Sequence, residues 1–179
     1  MIDLAPTEKR DTVLQGEFRV SHDPHVVCST ILGSCVAACI TDPNARIGGM
    51  NHFLLPGASV GGQDDERYGV HLMELLINGL MSNGAKRDRL EAKLFGGATM
   101  LAGLGDIGER NALFARKFLE YEGIKIVNSD LGGSRGRRIQ FWPTTGRVRL
   151  AYLGANAISE ERRVKSPPNA NSGEFESFT

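Results

Sequence analysis

Cysteine is scarce in this chain, with three among 179 residues, Cys28, Cys35 and Cys39, and no CxxC pair. An odd and sparse set argues against a disulfide framework and suits a reducing compartment. Cys35 and Cys39 have no second cluster at finger-like spacing, and the histidines form no HExxH array, so zinc is not expected. No stretch approaches the roughly 18 apolar residues of a spanning helix. The first residues, MIDLAPTEKRDTVLQGEF, carry charges of both signs and no signal-peptide core. A cytoplasmic address without membrane insertion is therefore expected. An excess of either charge is also missing: Lys plus Arg and Asp plus Glu number 21 each, so no global field draws the protein to nucleic acid. A GxxxxGK[ST] phosphate loop is absent as well.

What is present is an ordinary globular composition, 41% hydrophobic and 23% charged, long enough for one core. Short β-prone runs lie at 12–20 (TVLQGEFRV), 26–32 (VVCSTIL) and 35–41 (CVAACIT). A further run at 46–55 (RIGGMNHFLL) contains a glycine pair, the mark of a bulge or a close backbone approach. A polar, glycine-rich loop over 56–65 is expected to be mobile. From 66 to 83, Leu72, Leu75, Leu76 and Leu80 recur at helical spacing, and Gly84 can take the left-handed position that ends a helix.

Alternation predicts a strand at 90–95, and a second helix covers about 109–122, with Leu113 or Phe114, Phe118 and Tyr121 inward. Strands at 124–128, 137–142 and 146–153 follow, the last two joined by a turn at Pro143-Thr144-Thr145. Strands outnumber helices, so the expected class is α/β (α+β), with layered mixed sheets and two main helices rather than a doubly wound parallel sheet. Residues 1–158 read as one domain. Residues 159–179, rich in Ser, Pro, Asn and Glu, read as a disordered tail.

Chemistry concentrates where Gly33-Ser34 precedes Cys35 and His52 follows 17 residues later on the next strand. An imidazole beside a thiol takes its proton, and backbone N–H groups of a glycine-rich turn can hold a developing oxyanion. The competing reading is structural, because cysteine is among the most buried residue types. Cys28 and Cys39 are read as core residues. The glycine pairs Gly96-Gly97 and Gly132-Gly133 fit no nucleotide fingerprint and are read as points of close backbone approach or turning.

Several motifs in register then resemble one family. Thr30 to Pro43 (TILGSCVAACITDP) and Gly48 to Pro56 (GGMNHFLLP) are similar to the signature of the chemoreceptor glutamine deamidases, CheD. Lys93 to Met100 (KLFGGATM), Ile107 to Asn111 (IGERN) and Asp130 to Arg137 (DLGGSRGR) resemble further blocks in the family's order. The resemblance spans roughly residues 12–153. It implies Cys35 as nucleophile and His52 as its acid/base partner. A hydroxyl residue, usually threonine, six positions before the cysteine completes the family's site; that offset falls on Ser29, with Thr30 beside it.

The family likeness further implies a layered fold akin to the catalytic domain of the cytotoxic necrotizing factor toxins. It implies a protein-glutamine glutaminase that converts glutamines of methyl-accepting chemotaxis receptors to glutamate without metal or organic cofactor, and a CheC-like phosphatase as partner. Two rival readings are a non-catalytic regulator of that phosphatase or of the receptor, and a thiol protease or transglutaminase. The final residues, Gly173 to Thr179 (GEFESFT), resemble the aromatic-x-x-Phe peptide that tethers the receptor methyltransferase.

Overall fold

The β-prone runs become nine strands among the described residues, 7–56, 63–100 and 106–154 of this computed structural model. β1 (Lys9–Thr12), β3 (Val26–Leu32), β8 (Arg137–Trp142) and β9 (Arg147–Tyr152) form an outer sheet in the order β1-β3-β8-β9. A central sheet, β2-β5-β4-β6-β7, joins β2 (Phe18–Ser21), β5 (Ile47–Asn51), β4 (Val36–Asp42), β6 (Glu91–Gly96) and β7 (Lys125–Leu131). Each sheet is mixed, since β1 lies parallel to β3 and β6 to β7 while the other pairs are antiparallel. The expected α/β class, with mixed sheets and two helices, is the one formed.

Every residue of β4 is buried, because both faces of its sheet are covered. Val36, Ala38 and Ile40 point towards α1 (Gln63–Ser82) and α2 (Ile107–Tyr121), in one core with Leu72, Leu76 and Leu119. Ala37 and Cys39 point the other way, into a second core with Cys28, Leu32, Ile139 and Phe141 of the outer sheet. The order of layers is helices, central sheet, outer sheet. Each fully buried aliphatic side chain stabilises this stack by about 1.5–3 kcal/mol relative to exposure.

The 12–20 run is not one strand. It divides into the end of β1 and the start of β2, which belong to different sheets, because Gly16 adopts φ +86° and turns the chain from one layer to the other. In the 46–55 run the glycine pair does mark close approach: a Cβ on Gly48 would lie 2.2 Å from the carbonyl oxygen of Pro143. α1 ends as expected, Gly84 taking φ +102° while the Ala85 N–H donates to the Leu80 carbonyl at 3.1 Å. Its first residue, Gln63, shortens the loop expected over 56–65.

Of the residues expected on the inner face of α2, Phe118 is buried and Phe114 packs against the core, together with Asn111, Ala115 and Leu119, whereas Tyr121 is 89% exposed and Leu113, the alternative to Phe114, 49%. The Pro143-Thr144-Thr145 turn joins antiparallel β8 and β9 as read. The loop at 57–62 and the tail at 159–179 lie outside the described residues.

Candidate active site

Two connections pass from the outer to the central sheet at one rim of the sandwich: Val13–Glu17 between β1 and β2, and Gly33-Ser34-Cys35 between β3 and β4. Cys35 is thus the last residue before the central strand. In the β4/β5 register Cys39 lies opposite Met50, and the same register continues to Val36 and Phe53, which exchange hydrogen bonds of 3.0 and 2.9 Å. His52 therefore stands opposite Ala37 and diagonal to Cys35, on the face that looks to the outer sheet. Diagonal positions of this kind lie about 7–8 Å apart at Cα, within reach of long side chains. The adjacent strand pair that the sequence called for does place the thiol and the imidazole on one face.

The imidazole is buried and held across the two layers. Its Nδ1 lies 2.9 Å from Thr30 Oγ1 of the outer sheet and 3.2 Å from the Val13 carbonyl oxygen. The Thr30 hydroxyl donates to that same carbonyl at 2.7 Å. A carbonyl oxygen only accepts, and the Thr30 proton is already committed to it, so the proton between ring and hydroxyl belongs to Nδ1. Nε2 is then the basic nitrogen of the neutral ring. The main chain of His52 is fixed as well, its carbonyl accepting from Gly16 N–H at 2.8 Å and its N–H donating to the Glu17 carbonyl at 3.1 Å.

Strand alternation decides which hydroxyl meets this ring. Cys28, Thr30 and Leu32 of β3 face the central sheet, while Ser29 turns outward beside Arg10, Thr12, Arg138 and Gln140. On this geometry Thr30, the alternative held beside Ser29, is the hydroxyl that meets the imidazole. Spacing counted from Cys35 passes through the Gly33-Ser34 bend, where strand alternation does not hold, so the offset alone does not say which of the two hydroxyls faces the ring.

The turn that carries Cys35 is pinned by its carbonyls. Gly33 accepts from Ala98 N–H at 3.0 Å, Ser34 from Asn111 Nδ2 at 2.8 Å and Cys35 from Gly97 N–H at 2.8 Å. In a trans peptide the C=O of one residue and the N–H of the next point in opposite directions. The Ser34 and Cys35 N–H groups are thereby directed away from α2 and the Gly96-Gly97 turn. A Cβ on Gly96 would sit 2.1 Å from the Cys35 carbonyl oxygen, so only glycine lets this approach occur. The Asn111 side chain, wholly buried, also accepts from Leu55 N–H at 3.0 Å and ties the Cys35 turn to the segment after His52.

The glycine pairs have their explanation here too. Gly132 N–H donates to Gly96 O at 2.9 Å, and buried Arg137 binds Asp130 Oδ1 at 2.7 Å together with the carbonyls of Gly132 and Gly96. Asn111 and the 13–17 turn went unrecognised in the sequence. An asparagine within a helix pattern, at a position spaced with apolar residues, was the available signal for the first; Gly16 inside a β-prone run was the signal for the second.

The remaining cysteines are unsuited to nucleophilic attack. Burial pushes the Cys28 thiol up to about 12, and burial together with neighbouring Cys28 holds Cys39 well above the ordinary thiol range. Both stay protonated at neutral pH, whereas Cys35 is partly exposed.

A partly exposed cysteine at a sheet-crossing turn, on one face with an imidazole of fixed tautomer, defines a candidate cysteine-hydrolase site on an α/β sandwich. The model of the family described as CheD chemotactic sensory transduction matches residues 54–152, more than half of the chain. The chain is 55% identical over 175 residues to the probable chemoreceptor glutamine deamidase CheD of Sinorhizobium medicae (strain WSM419), covering 93% of this chain and 96% of that protein. It is 56% identical over 174 residues to the protein of the same description from Agrobacterium fabrum (strain C58), with the same coverage, and 54% identical over 177 residues to that of Acidiphilium cryptum (strain JF-5), covering 93% of each. The chain belongs to the CheD family.

Among solved structures, a Neisseria meningitidis protein of the family model DUF152 aligns at a TM-score of 0.44 and 12% identity, over 71% of this chain and 63% of that one. The Bacillus licheniformis protein YfiH aligns at 0.42 and 11% identity, over 74% and 61%.

Proposed function

We propose that this chain is a protein-glutamine glutaminase that converts glutamine side chains of methyl-accepting chemotaxis receptors to glutamate, with Cys35 as nucleophile, His52 as acid/base and Thr30 as the hydroxyl that orients the ring. The observation that carries the reading is the tautomer lock: Val13 O and Thr30 hold the Nδ1 proton, so Nε2 can take the Cys35 proton. The thiolate adds to the amide carbon. His52 then returns the proton to the leaving nitrogen, ammonia departs, and water activated by the same imidazole cleaves the thioester. Each turnover exchanges a neutral side chain for a negative one on the receptor's signalling helices, which alters repulsion between neighbouring helices and shifts the signalling equilibrium.

Residues 1–158 are the unit to which this activity is assigned, acting in the cytoplasm. No helix among the described residues is long and apolar enough to cross a membrane. The layering of two mixed sheets with a thiol at their rim supports kinship with the catalytic domain of the cytotoxic necrotizing factors. A CheC-like phosphatase is proposed as partner on family grounds, and the receptor methyltransferase as a partner of the 173–179 segment.

Ammonia release from purified receptor tests the reading. Wild-type protein should release ammonia without cleaving the receptor backbone, and Cys35→Ala and His52→Ala should not. Release by Cys35→Ala at the wild-type rate would remove the thiol from the mechanism, and backbone cleavage would assign a protease.

A further inference from the structure

The turn between β1 and β2 does more than cross layers. Val13 holds the His52 ring, and Gly16 and Glu17 hold the His52 main chain. Leu14 N–H donates to Glu17 Oε2 at 3.0 Å and Glu17 N–H to Leu14 O at 2.9 Å, which closes the turn on itself. Gln15 stands at its tip, and its Oε1 accepts from the Cys35 thiol at 3.7 Å. A side-chain amide is therefore carried to the nucleophile by a turn that is anchored to the general base.

A thiol donates to an amide oxygen, but a thiolate or an oxyanion requires a donor. The terminal amide of glutamine rotates between two broad orientations, and half a turn exchanges Oε1 for the Nε2 hydrogens. When Cys35 attacks, the new C–S bond forms, the carbonyl π pair moves to oxygen, and that oxyanion develops about one bond length beyond the attacked carbon. An amide whose terminus lies 3.7 Å from Sγ is placed, after that half-turn, to meet it with a donor. We propose, on the basis of the deamidase reading, that Gln15 is a catalytic residue whose Nε2 hydrogens bind the oxyanion of the tetrahedral intermediate together with the Cys35 backbone N–H, which the pinned turn directs away from α2. Collapse restores the C=O bond and breaks C–N as His52 protonates the departing ammonia. Hydrolysis of the thioester passes through a second oxyanion at the same oxygen, so Gln15 acts in both halves of the reaction.

The test pairs a reaction that develops an oxyanion with one that does not. Gln15 is exposed, so its replacement leaves the fold intact. Gln15→Ala should lower kcat for receptor deamidation by about a hundredfold to a thousandfold, the range for loss of one oxyanion donor, with KM unchanged. Gln15→Glu, which offers a negative acceptor in place of a donor, should lose more. Alkylation of Cys35 by iodoacetamide, a displacement with no oxyanion, should proceed at the wild-type rate in Gln15→Ala; in Gln15→Glu the added carboxylate beside Sγ disfavours the thiolate and slows it.

Wild-type kcat in Gln15→Ala would overturn the assignment. An alkylation rate of Gln15→Ala that falls in step with its kcat would overturn it in favour of thiolate support, and a raised KM at constant kcat in favour of substrate grip. Cys35→Ala is the control for the underlying reading: deamidation that survives in Cys35→Ala fails that reading, whereas deamidation lost there but normal in Gln15→Ala fails the oxyanion assignment alone.

Discussion

Thr30 and Ser29 are adjacent hydroxyl residues with opposite fates, and the difference is a matter of which face of β3 each occupies. Thr30 spans the layers to His52 Nδ1, while Ser29 faces away. Thr30→Val preserves shape and removes the hydrogen bond, so kcat should fall by about tenfold, the kinetic equivalent of one such bond. Ser29→Ala should leave kcat within about twofold, as expected of a side chain without a role in the site. Steady-state deamidation rates of the two variants decide between them, and the opposite order would return the role to Ser29. The cysteines divide in the same way. Iodoacetamide at neutral pH should label Cys35 in the folded protein and leave Cys28 and Cys39 unlabelled, because burial keeps those two as thiols. Peptide mapping after alkylation, with and without denaturant, reads this directly.

Among the elements, α2 and the end of β4 carry the demands that local pattern conceals. α2 was legible as a helix from its spacing, and Phe114 and Phe118 pack inward as read, yet Tyr121 does not and the core position of Asn111 went unread. Asn111 is buried to bridge Ser34 O and Leu55 N–H, a tertiary requirement that no apolar periodicity encodes. Asn111→Ala leaves both backbone groups without that partner and should cost about 1–3 kcal/mol of unfolding free energy, with kcat lowered through the loosened Cys35 turn; urea melts and initial rates measure the two effects. Asn111→Asp keeps the acceptor for Leu55 and lacks the donor for Ser34, so it should lose activity also.

At the other end of β4, Asp42 has no exposed side-chain surface and accepts from Arg89, Lys86 N–H, Asn44 N–H and Ala45 N–H. Burial pushes its pKa up, but the Arg89 guanidinium and the backbone amides outweigh burial and hold the carboxyl far below the ordinary carboxylate range. A depressed folded-state pKa contributes stability that is fully present above the unfolded value near 4 and is lost as pH falls below it. Asp42→Asn should therefore be less stable than wild type at pH 7 by about 2–4 kcal/mol, with the gap narrowing below about pH 4. Denaturant melts at pH 7 and pH 3 check the sign.

At the scale of the whole molecule, what the sequence disclosed was local: helix ends at glycine, the β8–β9 hairpin, and the mixed class. The pairing of β3 with β8 and of β1 with β3, which builds the outer sheet, joins segments far apart in sequence, and periodicity alone cannot specify such partners. The site inherits this division. Cys35 and His52 were legible as a pair because they flank the neighbouring strands β4 and β5, but the placing of Thr30, Gln15 and Asn111 beside them follows only once the sheets stack and α2 packs beneath.

The central claim is that Cys35 forms a thioester with receptor glutamine side chains, and it is tested most directly by trapping that species. Receptor incubated with the protein in hydroxylamine and then mapped by mass spectrometry should carry γ-glutamyl hydroxamate, together with glutamate, at specific former glutamines, and neither product should form with Cys35→Ala. Equal conversion to glutamate by the wild-type and Cys35→Ala proteins, with no hydroxamate at any position, would contradict the account.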